Sequence, residues 1–160
     1  IKKKLIIFRP HNIFGENMGY EHVIPELVKK IFKASNGLKR KKISLIVQGT
    51  GNETRSFCYI NEAIDQILYL YKNGKSNNIY NVGNSDEIKI KVLLNLIAEI
   101  VDIKLKIKPG KIRKGSTLRR CPNLKKINNL GYITPNKINK IGLKSTVEWY
   151  INDYKKTLNL

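Results

Sequence analysis

Six of the 160 residues are arginines: Arg9, Arg40, Arg55, Arg113, Arg119 and Arg120. They are the side chains here best suited to grip phosphate. A guanidinium presents a planar fork of N–H donors that pairs two oxygens at once, which a lysine ammonium does not. The chain is strongly basic, with 31 Lys+Arg against 12 Asp+Glu and a formal charge of +19. Such a charge first suggests a polyanion: nucleic acid, an acidic membrane or a phosphorylated small molecule. Lysine supplies 25 of the cations, however, and isoleucine (24) and asparagine (18) rise with it. That joint enrichment is the mark of an AT-rich coding bias, under which most lysines are solvated surface. The arginines keep their information.

Other reactive residue types are sparse. Cys58 and Cys121 are too few for a disulfide framework, which favours a reducing compartment and a cytoplasmic setting. With His11 and His22 as the only histidines and no paired cysteines at ligand spacing, no metal site is expected. Gly49-Thr-Gly51 is a turn and does not open a helix, as a dinucleotide fingerprint must. No apolar run approaches the roughly 20 residues that span a bilayer, so no membrane partner is expected.

The elements that must position these residues alternate between strand and helix. Leu5-Ile-Ile-Phe8 reads as a strand buried on both faces, as in a parallel sheet. Val23, Ile24, Leu27, Val28, Ile31 and Phe32 fall at helical spacing, with Pro25 in the first turn and Asn36-Gly37 as the stop. Ile43–Val47 is a short strand, and Phe57 and Tyr59 suggest another. Ile60, Ala63, Ile64, Ile67, Leu68 and Tyr71 give a helix that Asn61 is placed to cap and Asn73-Gly74 to end. A strand at Ile79–Val82, a helix over Ile90–Val101 and a half-exposed strand at Leu105 and Ile107 follow. Residues 110–122 form a basic loop, 123–130 a short helix, and Leu143 to Leu158 the last helix. The class is α/β. No repeat, low-complexity linker or domain boundary is visible. A chain that enters on a buried-type strand suggests a partial domain whose sheet partners lie upstream.

Six segments in order carry a resemblance. They are Arg9-Pro-His-Asn12-Ile-Phe-Gly15, His22-Val-Ile-Pro25, Gln48-Gly-Thr-Gly-Asn-Glu-Thr-Arg55-Ser-Phe-Cys-Tyr-Ile60, Tyr80-Asn-Val-Gly83, Arg119-Arg-Cys-Pro-Asn123 with Leu130-Gly-Tyr, and Gly142 through Trp149-Tyr. Together they resemble the C-terminal half of the extended short-chain dehydrogenase/reductases, in the NAD-dependent epimerase/dehydratase branch that acts on nucleotide sugars. The resemblance covers essentially all of residues 1–160. It implies late strands of a Rossmann-type parallel sheet plus a small substrate-binding lobe, with the N-terminal NAD-binding part absent.

The resemblance also implies roles. Pro10 and His11 lie near the cofactor, NAD. Asn12 hydrogen-bonds the substrate, Val23 and Ile24 line its cleft, and Gln48 lies beside the nucleotide-base pocket. Arg55 and Arg120 grip the diphosphate, and Asn81 touches substrate. The family's catalytic Tyr-x-x-x-Lys pair is expected upstream of Arg9, so none of these residues is catalytic and the piece alone has no turnover. Tyr71-Lys-Asn-Gly-Lys75 matches that pattern by chance, at a helix end. Glu16, Asn61-Glu62 and Asn123 depart from the usual family residues. The expected partner is a nucleoside-diphosphate sugar, in an enzyme that can be a homodimer. Other readings remain: Arg55 as a surface cation, Asn12 as a turn-closing residue, a degenerate sugar-nucleotide binder, or a basic nucleic-acid-binding module. No nucleic-acid-reading motif or stacking platform supports the last.

Overall fold

The computed structural model describes residues 4–112 and 115–157. Its elements are β1 (Ile6–Pro10), β2 (Ile13–Phe14), α1 (Val23–Ala34), β3 (Lys42–Ile46), β4 (Thr54–Arg55), β5 (Cys58–Tyr59), α2 (Ile60–Asn73), β6 (Asn78–Val82), β7 (Ile88–Lys89), α3 (Ile90–Ile100), β8 (Lys104–Lys108), β9 (Arg119–Arg120), α4 (Lys125–Asn128) and α5 (Lys140–Thr157). The expected strands and helices appear in the expected order, but β2, β4, β7 and β9, two residues each, were not expected, and β9 lies in the stretch expected as a basic loop. Leu158, placed in the last helix by its spacing, and Arg113 lie outside the described residues.

The chain forms two compact units, where a sequence reading finds no boundary. The first contains the described residues up to Ile13, Arg55–Ile88 and Arg120–Asn139; the second contains Phe14–Thr54, the described residues of Lys89–Arg119, and those from Lys140 onward. Each unit is built from three separated stretches. The chain passes between them within the short strands β2, β4, β7 and β9 and once at the start of α5, so no linker composition marks the division.

In the first unit β1 pairs with β6 in parallel, from Ile6↔Asn78 to Pro10↔Val82. Cys58, Ala63, Leu70, Tyr80, Val82, Leu124 and Ile127 form its core, joined by Ile6, Phe8 and Ile67. The expectation of a strand buried on both faces fails: Leu5 is 59% and Ile7 47% exposed. α2 covers the Ile6/Phe8 face of β1, and among the described residues of this unit nothing covers the other. α2 also turns differently from its most apolar stripe. Ala63, Gln66 and Leu70 are buried, while Ile60, Ile64, Leu68 and Tyr71 are exposed. Its cap is not Asn61: Tyr59 N donates to Glu62 Oε2 at 3.2 Å, one residue before the helix starts.

In the second unit β3 and β8 pair in parallel, from Lys42↔Lys104 to Ile46↔Lys108. Both strands alternate exposed and half-buried residues, so the lysines of β8 line a solvated face. The core unites Ile24, Val28, Ile31 and Phe32 of α1 with Leu93, Leu94 and Ile97 of α3 and Leu143, Val147 and Tyr150 of α5. Asn36 and Gly37 take φ of +50° and +67° after α1, the left-handed reversal expected of Asn-Gly.

Candidate functional site

Parallel pairing brings the loops that follow β1 and β6 to one end of the first unit. That end of an open parallel sheet is where ligands usually bind. His11 N donates to Val82 O at 2.9 Å, which extends the ladder by one bond. Gly83 then has to pass close beneath His11. A Cβ there would stand 3.0 Å from Pro122 Cγ and 3.4 Å from His11 Cβ, so any larger residue requires Pro122 to give by a few tenths of an ångström, and glycine favours the approach.

Side-chain amides hold these loops. Gln66, wholly buried, clamps Gly83 from below: its Nε2 donates to Gly83 O and its Oε1 accepts from Gly83 N, both at 2.9 Å. Asn12 sits at φ +44°, a conformation that asparagine tolerates better than most residues. Its Nδ2 donates to Ser56 O at 2.9 Å, and its own carbonyl accepts from Cys58 N at 3.2 Å. Asn12 therefore closes a turn after the strand, as its plainer reading held. Asn81 Nδ2 donates to Asn123 O at 2.9 Å while its Oδ1 lies 3.2 Å from His11 Nε2.

The two arginines expected at the diphosphate reach the same unit. Ser56 N donates to Arg120 O at 3.1 Å, so the backbone that carries Arg55 runs beside that of Arg120. Arg55 is half-buried and Arg120 exposed. Ser56 between them is fully buried, and its hydroxyl has no hydrogen-bond partner. Pro10, His11, Asn12, Arg55, Asn81 and Arg120 thus share one unit. Val23, Ile24 and Gln48 belong to the second. There Val23 and Gln48 are exposed, whereas Ile24 is 1% exposed and packs in the core, because helical spacing aligns it with Leu27, Val28 and Ile31.

Charge chemistry around this end is muted. Burial, and then the Glu62 charge, push the Cys58 thiol up to about 12 against the lowering effect of a Gln66 hydrogen bond, so it packs as a neutral thiol. Among the described residues no group of three His, Cys, Asp or Glu could hold a metal. No described helix is long and apolar enough to cross a membrane. Gln66 and Ser56 were not singled out from sequence, and Asn123 was noted only as a departure from the usual family residue. For Gln66 a signal existed: a polar residue three after Ala63 and four before Leu70, on a buried helical stripe.

Comparison with known proteins agrees with this architecture. The model of the "NAD dependent epimerase/dehydratase family" matches residues 2–83. A putative GDP-L-fucose synthase 2 of Arabidopsis thaliana is 28% identical over 148 residues, covering 90% of this chain and 44% of its own length. A dTDP-D-glucose 4,6-dehydratase of Homo sapiens is 27% identical over 166 residues, covering 99% and 45%. The chain spans about half the length of the curated relatives it matches. The crystal structure of UDP-glucuronic acid 4-epimerase from Bacillus cereus, in complex with UDP-glucuronic acid and NAD, superposes with a TM-score of 0.76 at 18% identity, over 93% of this chain and 46% of that one. That likeness establishes the Rossmann-type α/β fold.

Proposed function

The chain belongs to the NAD dependent epimerase/dehydratase family, and from that premise we propose that it forms the part of a nucleotide-sugar epimerase or dehydratase that holds the nucleoside-diphosphate sugar. One observation carries the reading: the Pro10–Asn12 loop, Asn81–Gly83 and the backbones of Arg55 and Arg120 all belong to one unit, joined by hydrogen bonds. A nucleoside diphosphate carries about two negative charges, and two arginines from separate segments can neutralise it with bidentate bonds.

The same end fits the nicotinamide part of NAD. It lies past the C-terminal ends of two parallel strands, and Gly83 allows their loops to pack closely. Pro10 and His11 would hold it. When bound, NAD supplies a hydride acceptor that later returns the hydride. The chain's own residues orient the sugar against it: Arg55 and Arg120 fix the diphosphate, and Asn12 fixes the loop between them and β1. The tyrosine and lysine that move the proton are supplied, in this reading, by another part of the enzyme.

Titration calorimetry of the purified protein with UDP-, dTDP- and GDP-sugars tests the proposal. Arg55→Ala should cost about 1.5–3 kcal/mol of affinity, the worth of a hydrogen bond to a charged group. Lys104→Ala, on the solvated face of β8, should cost less than about 0.5 kcal/mol. No binding of any such sugar, or equal losses in the two variants, would defeat it.

A further inference from the structure

We infer that Asn81 is a positioning residue that fixes the tautomer of His11, and that the ring so held offers its Nδ1 lone pair to a neutral N–H donor, the carboxamide of the cofactor. The argument starts at Asn123. Its backbone carbonyl can only accept, and it lies 2.9 Å from one end of the Asn81 amide. That end is therefore the NH2. The other end is then the oxygen, 3.2 Å from His11 Nε2. An amide oxygen cannot donate, so Nε2 must carry the hydrogen. In a neutral imidazole one nitrogen donates and the other accepts, which leaves Nδ1 with a lone pair.

The chain of bonds is anchored at both ends. Asn123 Oδ1 accepts from Lys125 N at 3.0 Å, in the first turn of α4. His11 is tied through its own N–H to Val82 O at 2.9 Å, and its Cβ packs over Gly83. The ring thus has one defined orientation. A lone pair repels phosphate oxygens and accepts from a carboxamide NH2. This assigns the His11 end to the nicotinamide and leaves the diphosphate to Arg55 and Arg120. The second half of the inference rests on the proposed function; the tautomer does not. It also revises the role of Asn81, whose amide is engaged at both ends and acts through His11.

Long-range 1H–15N correlation spectra of the 15N-histidine-labelled, full-length protein at pH 8 read the tautomer directly. Exposed His22 serves as the internal comparison. Wild-type His11 should show protonated Nε2 and bare Nδ1. Asn81→Leu should shift its tautomer ratio by about two- to tenfold toward Nδ1–H, the effect of one ordinary hydrogen bond. Asn81→Asp, which keeps an acceptor, should retain the wild-type form. Asn81→Leu should also weaken NAD more than the nucleotide sugar. A wild-type Nδ1–H form, or an unchanged ratio in Asn81→Leu, overturns the tautomer assignment without any variant needing to bind ligand. A correct tautomer with equal loss of NAD and sugar overturns the ligand assignment. Absence of nucleotide-sugar binding by the wild-type protein overturns the proposed function and with it the ligand assignment, leaving the tautomer standing.

Discussion

The clamp of Gln66 on Gly83 offers the sharpest energetic test. Gln66→Leu removes two 2.9 Å hydrogen bonds and leaves the N–H and C=O of buried Gly83 without partners. Each unsatisfied backbone group costs about 1–3 kcal/mol, so the loss is about 2–6 kcal/mol. A buried leucine returns about 1.5–3 kcal/mol of hydrophobic stabilisation. Taken end for end, the net destabilisation is about 0.5–3 kcal/mol. Gln66→Ala forgoes that return and opens a cavity, so it should cost about 3–6 kcal/mol. Gln66→Glu is the informative third case. A protonated carboxylic acid can reproduce both bonds, whereas a carboxylate faces the Gly83 carbonyl with no hydrogen to share. The folded-state pKa of that new acid is raised, so its penalty is absent below the unfolded value of about 4.3 and grows as pH rises toward the folded one. Urea denaturation across pH 4–8, together with hydrogen exchange at the Gly83 amide, checks all three variants. A Gln66→Leu variant within about 0.5 kcal/mol of wild type, or a Gln66→Glu variant whose deficit does not change with pH, would refute the clamp.

Three further outcomes are expected. Burial pushes the Glu53 carboxyl up, but the N–H groups of Glu53, Thr50 and Gly51 and the Thr50 hydroxyl outweigh it, so it lies below its ordinary value. A depressed folded pKa stabilises above the unfolded pKa, and that stability is lost as pH falls through the folded one; Glu53→Gln should flatten the acid limb of a plot of urea midpoint against pH below about 4.5. Cys58, with its thiol raised to about 12, should resist iodoacetamide at pH 8 while half-buried Cys121 is alkylated first, as mass spectrometry of the digested protein will show. Raising salt from 50 to 500 mM should reduce the affinity cost of Arg120→Ala more than that of Arg55→Ala, because exposed charges are screened more than half-buried ones; calorimetry at both salts checks the order.

What could be read from the residues follows the range of the forces involved. The strands β1, β3, β5, β6 and β8 and the helices α1, α3 and α5 were legible because an apolar stripe, run or alternation marks each, whereas the two-residue strands β2, β4, β7 and β9 carry no such pattern. α2 was legible as a helix but not in its facing. It carries two candidate stripes, and the more apolar one, Ile60-Ile64-Leu68-Tyr71, turns outward. The choice is made by Gln66, whose partner Gly83 lies 17 residues away and belongs to a different strand end. The two-unit organisation was hidden for the same reason, since non-local packing, not composition, divides the chain. At the candidate site, Arg55 and Arg120 stand out through the motifs that carry them, and their diphosphate role belongs to the proposal. The architectural use of Asn12 was legible only as an alternative and that of Asn81 not at all, because an amide looks the same in sequence whether it meets a ligand or a carbonyl.

That ambiguity has a physical resolution. Where β1 and β6 end, backbone donors and acceptors leave the ladder and still require partners. Amides serve them best, since they bring a donor and an acceptor and no charge to desolvate. Gln66 answers Gly83, Asn12 answers Ser56, Asn81 answers Asn123, and Asn84, fully buried, donates to Lys137 O at 2.8 Å and accepts from Asp86 N at 2.7 Å. With the amides committed to the frame, binding of an anion falls to groups that bring positive charge. Arg55, half-buried on the strand that Ser56 ties to Arg120, would meet the proposed diphosphate in a less screened setting than any lysine of the β8 face. In the proposed function, then, the net charge of +19 says less than the two arginines whose backbones Ser56 joins.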